Sequence, residues 1–574
     1  MQRFNVELHF GMFMKSAPFA LARLSAAAAL SMVLLAGCQT APTQPAAAPA
    51  TPAAPAAAAA PAAALTGLTL EALGAFEGGV EGASEITAFD PFSQRLFVVN
   101  AATKSIDVLD LRNPRAPQRI GNIPVAAFGD SPNSVAVHSG LVAIAVQAAP
   151  KTNPGAVAFV EAATLRVLSH VAVGALPDML TFTADGLRVL VANEGEPNSY
   201  GQADSVDPEG SVSIVTVNRG RTPTVATADF RAFIGQEAAL RTQGVRLYGP
   251  GANAAQDIEP EFIAIAPDGR NAFVTLQENN AVATVEIATA RVTAVRSLGS
   301  KDHSLARNAL DLSNEDGTLN SNDGTPAIRI APQRVRGLFQ PDAIAAFAVG
   351  GRTLLVTANE GDARDWPGFN EEVRVRAHCA QGLDPAAFPD AANQIMDSNL
   401  GRLLVTSTPN AGQTGRNAAG QCTELFSFGA RSFSIWDASN LQQVYDSGDE
   451  FEQRTRALPN VVFNASHNNN TLDARSPSKG PEPEAVVVAQ FGTRFFAFIA
   501  LERVGGVMVY EVTNPAEARF VTYFNGTRSA ATGDRGPEGL TFIPAVQSPN
   551  GRPLLVVANE VSGTTRVLQI NLGF

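Results

Sequence analysis

Seven times along the chain a short, largely apolar run opens on Pro or Ser followed by an acidic or amide residue. The runs are SEITAFD from Ser84, PNSVAVH from Pro132, PDMLTFT from Pro177, PEFIAIA from Pro260, PDAIAAF from Pro341, PEAVVVA from Pro483 and PEGLTFI from Pro537. Their length and their β-branched and aromatic content fit strands rather than helices. A tight turn such as PDGR, ADGL or VGGR follows, and then a second run that is apolar almost throughout: RLFVVN, LVAIAV, LRVLVAN, NAFVTL, TLLVTAN, FFAFIAL and PLLVVAN. Third strands such as SIDVLDL and GVMVYEV come next, and a weaker fourth, for example RVLSHVAV, usually closes the unit. Three of the second strands end in the same phrase, ANE, at Glu194, Glu360 and Glu560.

Four short antiparallel strands repeated seven times predict an all-β chain folded as a seven-bladed β-propeller of YVTN or quinoprotein-like type. Two separate β-sandwiches would use the same strands and stand as the alternative. The last unit ends at RVLQINLGF with three strands only, and LTLEALGAF, Leu68 to Phe76, is placed to supply the fourth. The repeats are unequally spaced because long segments intervene at about 230–259, 300–340, 361–430 and 448–482. By propeller connectivity each of them belongs to loops of one face, which also carries the strand starts and the ANE exits. Loops carried by a rigid scaffold are the usual seat of binding.

Composition narrows the class of partner. With 574 residues, 45% of them hydrophobic, the chain can bury a large core, and its net charge of −12 argues against nucleic acid as a partner. Cations, or neutral and cationic small molecules, fit better. Lys15 and Arg23 precede an apolar stretch that ends in LAGC, which reads as an export signal with a lipobox, so residues 1–38 are expected to be a lipoprotein signal peptide ending at a lipidated Cys38. Gln39 after that cysteine points to the outer membrane. Residues 39–64, nearly all Ala and Pro, form an extended tether, and the propeller occupies 65–574.

The strand starts place Glu85, Asn133, Asp178, Glu261, Asp342, Glu484 and Glu538 around one mouth. Carboxylates about 8 Å apart at an effective dielectric near 20 repel by roughly 2 kcal/mol per pair. Such a ring needs backbone donors, raised pKa values or a cation, and an all-oxygen set suits Ca²⁺ or Mg²⁺ better than zinc. The six acids are therefore metal candidates, with capping of their own turns as the alternative. A second group, Glu194, Glu360, Asp362, Arg364, Asp365, His467, Arg475 and Lys479, mixes acids, bases and one His on the insertion-bearing face. It could hold a phosphate beside a metal, or consist of ion pairs alone. DLSNEDGTLN from Asp311 has its Gly317 one place late for an EF-hand and reads as an Asx-rich turn. Cys379 and Cys422 both lie in the 361–430 insertion, which lacks an obvious core, and an oxidising compartment would favour their pairing.

GARSFSIWD, SKGPEPEAVVV, LERVGGVMVYEV, LVANEGEPN and TANEGDARDW together resemble the choice-of-anchor I family of extracytoplasmic proteins, over about Leu68 to the C-terminus. The resemblance implies a propeller, and some relatives carry an alkaline phosphatase label, but it transfers no catalytic residues. The reading is then a monomeric, lipid-anchored protein of the cell envelope that binds a small molecule or an envelope protein on its insertion-bearing face. A metal-dependent alkaline phosphatase or phosphoesterase and a purely structural envelope scaffold remain as alternatives, so whether the chain is an enzyme stays open.

Overall fold

A computed structural model describes residues 67–573 apart from 219–221, 320–323 and 526–532. The export segment, Cys38 and the whole of the tether lie outside the described residues. No helix among those described is long and apolar enough to cross a membrane.

The described residues form seven four-stranded antiparallel sheets, six of them simple meanders. The first runs through Thr87–Asp90, Arg95–Asn100, Ser105–Asp110 and Gln118–Pro124, and the next five begin at Ser131, Pro177, Ile263, Ile344 and Pro483. The seventh joins Pro537–Ile543, Leu554–Asn559 and Thr564–Gly573 to the segment Gly67–Glu77, which pairs antiparallel with Thr564–Gly573 along its whole length. This is a β-propeller architecture. Second and third strands are buried on both faces because each sheet is covered by its neighbours, which is why they read as unbroken apolar runs. Phe97 and Val99 of the first sheet pack with Val142 and Ile144 of the second, while its Leu96 and Val98 pack the other way, with Leu554 and Val556 of the seventh. Each such side chain contributes about 1.5–3 kcal/mol by leaving water. The outer strand Gln118–Pro124 is mostly exposed and correspondingly polar.

First strands of successive sheets touch in chain order, and Pro537–Ile543 of the seventh touches Thr87–Asp90 of the first. Thr541 Oγ1 donates to the Thr87 carbonyl at 2.6 Å across that junction. A Cβ on Gly539 would fall 2.5 Å from the Glu85 carbonyl, so the closest approach of the two strands requires a residue without a side chain.

The long segments lie between the second and third strands of a sheet or between a fourth strand and the following first strand. The 361–430 insertion differs from its sequence reading in one respect: it has a core. Val375, Leu383, Phe388, Leu403, Val405 and Leu425 cluster around Cys379 and Cys422, which form a disulfide with Cα atoms 5.7 Å apart. These apolar residues are scattered through Gly, Asn and Gln, with no strand or helix periodicity to reveal them, and Leu310, Leu312 and Val335 complete the cluster from a different insertion.

Candidate functional site

At four of the strand starts the polar residue is left out of the pairing by a local break. Register slips between Pro177 and Leu180, between Pro483 and Val486 and between Pro537 and Gly539, which leaves Asp178, Glu484 and Glu538 out of the ladder. A bulge of this kind re-aims side chains. Asn133 sits in the same kind of break, and its amide donates to Gln147 Oε1 at 3.3 Å and to the Pro177 carbonyl at 3.1 Å.

These side chains surround a cavity of about 650 Å³ lined by first strands of the sheets. Glu85, Asp178, Glu261, Asp342 and Glu538 stand in its wall, and among the described residues no Lys, Arg or His does. Further along the same strands the lining turns apolar, with Val137, Leu180, Leu540 and Phe542. Burial, reinforced by neighbouring carboxylates, pushes Glu85 and Asp178 up to about 8 and holds Glu261 and Glu538 well above the ordinary carboxylate range. Glu484 is buried outside the cavity wall and shares a hydrogen bond with Asp342.

Strand starts and strand exits meet in space. Pro177 pairs with Asn193, Pro483 with Leu501 and Pro537 with Asn559, so each start acid lies beside the Glu that follows the second strand of its own sheet. Three acidic groups result, in each of which one carboxylate oxygen per residue lies within 4.8 Å of the others: Asp178, Glu194 and Glu261; Asp342, Glu360 and Glu484; Glu360, Glu482 and Glu502. Sequence reasoning kept starts and exits apart and so missed this grouping, although antiparallel hairpin register would have supplied it.

The bases singled out in the sequence are held by acids. Lys479 Nζ lies 2.7 Å from Glu360 Oε1, 3.4 Å from Glu482 Oε2 and 3.7 Å from Asp362 Oδ1. Arg475 Nη2 and Arg503 Nε approach Glu482 at 2.6 and 2.9 Å. His467 Nδ1 is 3.0 Å from Glu502 Oε1. Arg364 is fully buried elsewhere, 3.0 Å from Asp257 and 3.5 Å from Glu259, with its backbone N–H donated to Glu371. Glu371 in turn pairs with the buried Arg246. None of Arg246, Asp257, Glu259 or Glu371 was singled out in the sequence, since nothing in their local patterns sets them apart from surface charges. Asp362 and Asp365 are exposed, and Asp365 accepts from the Asn370 amide at 2.6 Å.

Residues 85–515 match the choice-of-anchor I domain. The chain belongs to the choice-of-anchor I family. Among curated proteins, this choice-of-anchor I chain is similar to Gigasin-3a of Magallana gigas, 31% identical over 191 residues that make up 30% of the chain and 66% of that protein. It is also similar to the mesenchyme-specific cell surface glycoprotein of Strongylocentrotus purpuratus, 26% identical over 205 residues, 30% of the chain and 25% of that protein. The match thus spans just under two thirds of one relative and a quarter of the other. Solved structures with a similar course include Kuenenia stuttgartiensis hydrazine synthase, with a TM-score of 0.42, 11% identity and coverage of 85% and 96% of the two chains. Streptogramin B lyase has a TM-score of 0.41 at 9% identity, with 89% and 100% covered. Likeness at these scores carries no implication for activity.

Proposed function

We propose that the seven sheets are the blades of one closed propeller, carried on the cell envelope by a lipid at Cys38, and that the acid-lined cavity binds a cationic ligand from the insertion-bearing side. The observation that supports this most directly is the cavity wall, with five carboxylates and, among the described residues, no basic side chain. Buried carboxylates without counter-charges are costly, and a bound cation removes that cost. The apolar residues deeper in the cavity would accommodate the carbon skeleton of an organic cation, and the carboxylates alone would serve Ca²⁺ or Mg²⁺.

Phosphoester hydrolysis receives less support. A phosphate needs basic groups at the reacting centre, whereas Arg364, Arg475 and Lys479 are each engaged by carboxylates. The test is thermal unfolding of the full-length chain in metal-free buffer with CaCl₂ or spermidine added at fixed ionic strength. Either cation is expected to raise the melting temperature, by the equivalent of about 2.7 kcal/mol at a hundredfold excess over Kd. If neither did, the cavity reading would fail and a structural scaffold would be the better account.

The envelope location rests on the lipobox and is consistent with one relative's being, by name, a cell surface glycoprotein. Cys38→Ser is expected to release the protein from the membrane fraction into the soluble one. Retention of the variant in washed membranes would show that the anchor lies elsewhere.

A further inference from the structure

Of the three acidic groups, two are neutralised by the protein itself. The group of Asp342, Glu360 and Glu484 has Lys479 against Glu360, the Gln277 amide donating to Glu360 at 2.7 Å, and a hydrogen bond within the Asp342 and Glu484 pair. The group of Glu360, Glu482 and Glu502 has Lys479, Arg475 and Arg503. The third group has nothing comparable. Asp178, Glu194 and Glu261 make no side-chain hydrogen bond and no ion pair with any described residue, although Glu194 is only 9% exposed. The nearest sequence neighbour with a cationic partner, Glu196, keeps that partner, Lys151, to itself at 2.5 Å.

We propose that Asp178, Glu194 and Glu261 form a divalent-cation site, selective for Ca²⁺, where the third and fourth sheets meet, with Asp178 and Glu261 in the wall of the acid-lined cavity. This rests on reading the cavity as cation-binding and assigns the metal to one place in it. The geometry fits the ion. Three oxygens mutually within 4.8 Å share a point at most about 2.8 Å from each of them, so a small side-chain adjustment reaches the 2.3–2.6 Å of Ca²⁺ contacts. Mg²⁺, at about 2.0–2.1 Å in a strict octahedron, would require a larger contraction. Three anionic ligands also match the preference of Ca²⁺ for carboxylate oxygen, and the open cavity beside Asp178 and Glu261 leaves room for water or a ligand group to complete the shell. Glu194, about nine-tenths buried and with no donor or cation against it among the described residues, is the second observation pointing to a cation.

The experiment is calorimetric titration of the full-length chain with CaCl₂, MgCl₂ and spermidine, on wild type, Glu194→Gln and Asp178→Asn. Both variants keep shape and an acceptor oxygen while losing charge, and circular dichroism reports whether they fold. Expected is Ca²⁺ binding to wild type, at least tenfold weaker in either variant, with Mg²⁺ weaker than Ca²⁺ throughout. Spermidine binding should fall less than threefold, because the remaining carboxylates of the cavity stay in place. Ca²⁺ binding unchanged in both folded variants would place the ion elsewhere and overturn the site while leaving the cavity reading intact. Spermidine binding with no Ca²⁺ binding to wild type would do the same. Failure of both probes on wild type would remove the site and the cavity reading together. Should one variant not fold, the other decides. If neither folds, Ca²⁺ binding to wild type that is no tighter than Mg²⁺ binding overturns the assignment.

Discussion

A chain from which residues 65–77 are deleted is expected to lose most of its stability, with a melting temperature far below that of the intact protein or no cooperative transition at all. Gly67–Glu77 is the outer strand of the seventh sheet and pairs from Gly67 opposite Gly573 to Glu77 opposite Thr564. Leu68, 3% exposed, packs with Phe496, Leu568 and Ile570, and Leu73 and Phe76 pack against the cluster containing Leu96, Leu554 and Val567. Each fully buried side chain of this size is worth about 1.5–3 kcal/mol, and the exposed edge of Thr564–Gly573 would add unpaired backbone donors. Their sum approaches the about 5–15 kcal/mol by which whole domains are stable. Unchanged thermal unfolding of the deletion variant would show that the strand is dispensable.

Replacement of Glu482 by Ala is expected to cost about 3–5 kcal/mol, because it strands the cations that Glu482 now joins. Its carboxylate is fully buried and meets Lys479, Arg475 and Arg503 at 3.4, 2.6 and 2.9 Å. Burial by itself would raise this group, yet the three cations outweigh it and hold Glu482 down to about 2, against an ordinary 4.5. An acid lowered on folding adds stability that is complete above its unfolded pKa and disappears as the pH falls through the folded one. The intact protein should therefore lose this contribution between pH 4.5 and about 2, and Glu482→Ala should not. Asp365→Asn, at an exposed acid bonded to Asn370, should change stability by no more than about 0.5 kcal/mol. Equal denaturant midpoints for Glu482→Ala and the intact protein would show that the cluster contributes nothing.

The strands were legible because they obey one rule each. RLFVVN and PLLVVAN are apolar at nearly every place since sheets cover both of their faces, and that pattern is local. Leu68 to Phe76 could be assigned to the last sheet because one strand was wanting and one was spare. Two kinds of information were not local. The insertion around Cys379 and Cys422 draws part of its core from Leu310, Leu312 and Val335 of a different insertion, so its own sequence looks unstructured. At the mouth the candidate acids were identifiable, but their partition was not. Whether Glu360 or Glu194 has a cation depends on where Lys479 comes to rest, and that is fixed by the course of the 448–482 insertion. The same ignorance made Arg364 look available for a phosphate when it is sealed in with Asp257 and Glu259.

One side chain changes how the insertion-bearing face should be understood. Arg431 is 4% exposed and, from the end of the 361–430 insertion, reaches two others at once. It donates to the Asp311 carbonyl at 2.7 Å, to Glu452 Oε1 at 2.7 Å, and to the Ser476 and Ser478 carbonyls at 2.7 and 2.8 Å. Displacing any one of these segments would leave buried acceptors without a donor, at about 1–3 kcal/mol for each. The segments around Asp311, Glu452 and Ser476 are therefore tied together and cannot open and close one by one as lids. A ligand bound there as proposed would meet a surface whose conformational entropy was already spent when the chain folded. On the proposed reading, such a preformed surface selects its ligand by fit rather than by closing over it.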